Sequence, residues 1–166
     1  MLKQLTSRRS IRLKGYDYSQ SGLYFITICV QHKKHLFGEI DHQKMILNDA
    51  GIMIEQWYRE LECKFNNVMC QEIIIMPNHF HCIIEIKENN NSVPVGTIVQ
   101  WFKTMTTNEY IRGVKTKKWK AFDKRLWQRN YWEHIIRNEY EHEKIAQYII
   151  DNPLCWENDK LNVYHP

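Results

Sequence analysis

The sequence predicts an α+β fold: one mainly antiparallel sheet with helices packed on it. Three observations carry this expectation. Short β-branched and aromatic runs alternate with longer stretches of helical apolar spacing, in the order β-α-β-β-α-β-α. Two of the strand-like runs are neighbours, separated only by Pro77-Asn78, as in a hairpin. The chain has 166 residues, 43% of them apolar, enough for one core, and no internal repeat or linker divides it. A single domain over residues 1–166 is expected.

Taken in order, GLYFITICV (22–30) reads as a strand, and a polar stretch with Gly38 follows. Asn48 or Asp49 can cap a helix reaching about Phe65, since Ala50, Met53, Ile54, Trp57, Leu61 and Phe65 keep helical spacing. CQEIIIMP (70–77) is a strand stopped by proline, and HFHCIIEI (79–86) resumes as the next. After the polar loop ENNNSVP, residues 95–112 read as a helix that Gly113 can end. LWQRNYWEHIIR (126–137) is a strand. Asn138 with Glu141 makes a capping box for a last helix, expected to stop before Pro153.

Composition narrows the function. No stretch approaches the roughly 18 apolar residues that cross a membrane, and the basic start lacks the apolar region of a secretory signal. Five cysteines, odd in number and without a C-x-x-C pair, argue against a disulfide framework or a cysteine zinc site. A cytoplasmic protein is expected. The net charge is only +4, but it is clustered. Arg8, Arg9, Arg12 and Lys14 form one group. Arg112, Lys115, Lys117, Lys118, Lys120, Lys124, Arg125 and Arg129 form another, broken by Asp123 alone. Such clusters suit a polyanion, although either alone also suits a solvated loop. Trp119, Phe122, Trp127, Tyr131 and Trp132 interleave with the second group. Aromatic faces beside basic groups suit unpaired bases, and several of these rings equally suit a core.

The residues that stand out are His79 and His81. Side chains alternate along a strand, so the two share a face, with Cα atoms roughly 6.5 to 7 Å apart. Phe80, Cys82, Ile84 and Ile86 then take the other face as core. An H-x-H pair in a strand is more often a hydrogen-bonded pair than a metal site, and two histidines need a further ligand to hold an ion.

The segment MPNHFHCIIEI (76–86) resembles the histidine-hydrophobic-histidine (HUH) motif of single-strand DNA nucleases, in the form found in single-tyrosine transposases. WQRNYWEHIIRNEYEHEKIAQYIIDNP and RRSIRLKGYDYSQSGLYFITICV resemble the C-terminal part and the start of the REP-associated tyrosine transposases. The resemblance implies a ferredoxin-like HUH-nuclease fold. It also implies a DNA transposase that cuts and rejoins single-stranded, hairpin-associated DNA through a 5′-phosphotyrosine intermediate. By position it makes Tyr148 the nucleophile. His79, His81 and Asn152 become ligands of a divalent ion, Mg²⁺ or Mn²⁺. Tyr148 and Asn152 are four apart, on one helix face. Read without the resemblance, Tyr148 suits a core aromatic beside Ile145 and Ile149. Tyr140 is the rival on the same helix, about 12 Å earlier along its axis, with Lys144 where an amide would be needed.

His134 alternates with Trp132 and Ile136 and is expected to be a hydrogen-bonded sheet histidine, or else to touch phosphate or the active site. Arg8, Arg9, Arg12, Lys117, Lys118 and Arg129 are candidate DNA contacts. Single-stranded DNA with a hairpin is the expected partner and a monomer the expected state, related transposases including dimers. The rival readings are a catalytically inactive DNA-binding relic and a metal-dependent DNA hydrolase in which water attacks.

Overall fold

The structure, a computed structural model, describes residues 17, 20–88 and 93–162. Its centre is a four-stranded antiparallel sheet in the order β4-β5-β1-β6. β1 is Gly22–Cys29, β4 Val68–Met76, β5 His79–Ile86 and β6 Trp132–Ile136. A two-stranded hairpin of β2 (Gly38–Asp41) and β3 (Lys44–Leu47) stands apart from it. The helices are α1 (Asp49–Lys64), α2 (Val95–Thr116) and α3 (Glu139–Asp151), the last continued by a 3₁₀ segment, Asn152–Asn158. Among the described residues, no helix is long and apolar enough to cross a membrane.

The two faces of the sheet differ. Tyr24, Ile26 and Ile28 of β1 and Phe80, Cys82, Ile84 and Ile86 of β5 point one way, into the main core with Leu61 of α1 and Ile98, Val99 and Phe102 of α2. Their alternates point the other way, where Ile83 and Ile136 meet Ile149 of α3 in a small cluster edged by Leu23, Phe25, Ile74 and Ile145. The larger face is dry because both inner strands give it an unbroken apolar alternation.

The expected order of elements is present, with four local differences. The β2–β3 hairpin lies where a polar stretch was expected. Its turn residues His42 and Gln43 both have positive φ, 46° and 61°, so it carries none of the glycine or asparagine that usually marks such turns. In α1 the buried ring is Tyr58, with Trp57 only partly covered. α2 runs past Gly113 to Thr116. Gly113 instead makes room: a Cβ there would stand 2.1 Å from the Trp119 ring, which folds back on the helix. The strand expected over 126–137 is regular only over Trp132–Ile136. Residues before it are held by a single bridge, Val30 to Trp127, and by Lys103, whose buried ammonium donates to the Gln128 and Arg129 carbonyls at 3.0 and 3.4 Å.

Candidate active site

β5 puts His79 and His81 side by side on the α3 face, ring centroids 4.6 Å apart and both buried. α3 supplies the other half. Asn138 caps its start by accepting from the Glu141 amide at 2.9 Å. Glu141 does not complete the reciprocal box. Its carboxylate instead takes the Arg137 amide at 2.7 Å and meets His134 Nε2 at 2.6 Å. These bonds pin the start of the helix, and the Ile149 cluster holds its last turns against the sheet. About 20 Å of helix then carries Tyr148 and Asn152 to the histidine end. Asn152 keeps helical dihedrals (φ −55°, ψ −42°) although Pro153 follows. The chain passes there into a 3₁₀ turn whose first residues need no amide donor, so proline is accommodated.

The Tyr148 hydroxyl lies 3.4 Å from His81 Nε2, and the edge of its ring meets Phe25, which stacks on His81. Tyr148 is 47% exposed, so substrate can reach it. Tyr140 is exposed with the Lys144 ammonium 4.4 Å over its ring and shares none of this arrangement. Burial raises the Tyr148 pKa, Asp159 raises it further and the Asn152 side chain opposes both. Neutral phenol is therefore the resting form, and the group needs electrophilic help to act as a nucleophile.

The histidines are held neutral. Burial pushes His79 down to about 4, against smaller opposing effects of Asp159 and Asn152. Burial also pushes His81 well down, and His79 adds to this. The tautomer of His79 follows from its neighbour. Asn78 donates its amide protons to the Lys33 and Leu161 carbonyls at 3.2 and 2.8 Å. Its oxygen must then accept from His79 Nδ1–H, 2.8 Å away. His79 Nε2 is left as a bare lone pair, facing Asp159 Oδ2 at 3.8 Å. Neither atom has a hydrogen-bond partner, and neither does the buried Asn152 Oδ1. His81 Nδ1 pairs with Thr27 Oγ1 at 2.7 Å, an outer contact of the kind that orients ligating imidazoles.

Buried acceptors that face each other without a donor cost free energy unless a cation joins them. The donor set here, two neutral imidazoles and an amide oxygen with a carboxylate beside them, fits a divalent ion with open positions. Among the described residues, no three His, Cys, Asp or Glu side chains converge closely enough to cage an ion by themselves.

The remaining candidates are dispersed. His134 bonds Glu141 and touches neither histidine of the pair. Lys117 lines a cleft of about 350 Å³ with His35, Trp119 and Lys120, while Lys118 and Arg129 are exposed. Arg8, Arg9 and Arg12 lie outside the described residues. Trp127 is core, and Trp119, Phe122 and Tyr131 pack against it, so Trp132 alone of that aromatic group is exposed. Sequence reasoning missed Thr27, Asn78 and Asp159. Thr27 and Asn78 carried only weak signals, a strand hydroxyl and a turn amide, and Asp159 carried none.

Residues 19–152 match the family described as "Transposase IS200 like". The chain belongs to this family. A Haemophilus influenzae protein described as uncharacterized is 42% identical, over 94% of this chain and 93% of its own length. The REP-associated tyrosine transposase of Escherichia coli is 23% identical over 82% of this chain and 69% of its own. Among solved structures, a REP-associated tyrosine transposase bound to a REP hairpin shares the fold. Its TM-score is 0.58 and its identity 19%, over 90% of this chain and 73% of that one. The antiparallel sheet with its flanking helices is thus the HUH fold of the single-tyrosine transposases, as the sequence resemblance implied.

Proposed function

We propose that this transposase-family chain cuts and rejoins single-stranded DNA by transesterification, with Tyr148 as the nucleophile. The observation that carries the reading is the meeting of Tyr148 with His81 beside three unpartnered buried acceptors. The Tyr148 oxygen attacks the scissile phosphorus and the bond from phosphorus to the 3′ oxygen breaks. The 5′ phosphate stays on the tyrosine, the phenolic proton passes to solvent, and the released 3′ oxygen takes up a proton. A 3′-hydroxyl can reverse the step, so strands are transferred rather than simply cut.

His79, His81 and Asn152 would hold a divalent ion, Mn²⁺ or Mg²⁺, with Asp159 beside them. Bound there, the ion would polarise the phosphate as a Lewis acid. Asn78 and Thr27 fix the two imidazoles so that each presents Nε2 to the site. Phe25 holds His81 and Tyr148 in register. The hairpin in the solved relative's complex makes hairpin-bearing DNA the first partner to test.

The test uses pooled, labelled single-stranded hairpins with Mn²⁺ or Mg²⁺, assayed for a denaturant-resistant protein–DNA adduct. An adduct formed by the native protein and lost in Tyr148→Phe and His79→Ala is expected. Binding without an adduct would favour the relic, and cutting without one the hydrolase.

A further inference from the structure

Resting on that reading, we propose that Trp132 is a stacking platform for an unpaired base next to the cut. An exposed aromatic by itself is ordinary on a protein surface. The position of this one is not. Strand register places Ile74, His81, Thr27 and Trp132 in one row across β4, β5, β1 and β6. The Thr27–His81 contact shows that the row faces the site, and Ile136, four residues along β6 and so on the same face, meets Ile149 of α3. Trp132 therefore stands two strands from His81, about 10 Å across the sheet. α3 packs chiefly over β4 and β5, and Trp132 is left 62% exposed on β6, the outer strand of the sheet among the described residues.

The chain leading into this strand is also held firmly. The segment leading to it is tied down by Lys103 on the Gln128 and Arg129 carbonyls, by the Gln128 amide on the Cys29 carbonyl at 2.8 Å and by the Val30–Trp127 bridge. Lys103 also sits over the Tyr131 ring at 5.4 Å. A large flat surface on a rigid strand, with the exposed Arg129 three residues away, matches what unpaired bases bind: an aromatic face beside a basic group. A strand laid from Tyr148 across Phe25 and Thr27 reaches this edge, so the ring would set the position of the nucleotide beside the scissile phosphate. Trp132 is a positioning residue and takes no part in the bond changes.

The test irradiates Tyr148→Phe protein with the hairpin pool, 5-iododeoxyuridine replacing thymidine in the single-stranded flanks. The expected crosslink maps to the peptide holding Trp132. Adding Trp132→Ala should remove that crosslink and weaken binding about tenfold, with the circular dichroism unchanged. Trp132→Phe, which keeps a ring, should retain most of the affinity. DNA binding with crosslinks only elsewhere, or unchanged affinity in Trp132→Ala, overturns the platform while leaving Tyr148 chemistry standing. No DNA binding by the native protein overturns both.

Discussion

Phe80 and His79 are neighbours on one strand and live in different chemistries. Phe80 stacks on Phe102, ring centroids 5.1 Å apart, inside a core with apolar walls on every side. His79, equally buried, faces a carboxylate and an amide that find no donor. The contrast shows how a sheet can do two jobs. One face is packed to hold the fold together. The other is apolar only as far as the Ile83–Ile136–Ile149 cluster needs to hold α3, and polar where that helix delivers its tyrosine.

The two faces should therefore fail differently. The largest difference is expected in Tyr148→Phe, which should lower adduct formation by roughly 10³-fold or more while leaving the thermal midpoint close to native. Joint loss of activity and folding would break the division between faces. Phe80→Ala should do the reverse, costing about 3–5 kcal/mol in denaturant unfolding. Activity per folded molecule should survive it. If the folded fraction proves inactive, the two faces are coupled through β5 and the comparison must be redrawn.

Acid should separate the faces again. His79 titrates near 4 when folded and near 6.5 unfolded, so its neutral form is the one that folding favours. That contribution is complete above pH 6.5 and is lost as pH falls towards 4, on the order of 3 kcal/mol in metal-free protein. His81 acts in the same direction. His79→Gln should flatten the decline. A stability that stays level from pH 7 to 4.5 would mean the histidines are not buried neutral. The smallest effect concerns the helix that joins the faces: Asn138→Ala removes the α3 cap and should cost about 1 kcal/mol. A much larger cost, measured by urea unfolding, would mean that the docking of α3 also holds the sheet.

Much of this was legible in the sequence, for identifiable reasons. His79 and His81 had to share a face because strand side chains alternate, and Tyr148 and Asn152 because helical residues four apart align. The β2–β3 hairpin was not legible, since its turn is made by His42 and Gln43, without the glycine or asparagine that usually marks such a turn. Gly113 was read as a helix stop because its real purpose, clearance for Trp119, depends on a residue that folds back from beyond the helix end.

By itself, then, the sequence determined the order of the four main-sheet strands and three helices, most of their buried faces and the pairs of residues that local geometry forces together. Motif resemblance added the family. Tertiary structure alone decided the rest. It brought Asp159 to within 3.8 Å of His79, eighty residues earlier. It fixed the His79 tautomer through Asn78 and left Trp132 as the exposed ring of its group. Local periodicity records which way a side chain points, whereas a site depends on which distant chain segment arrives opposite it, and that is settled only when the whole sheet and its helices pack.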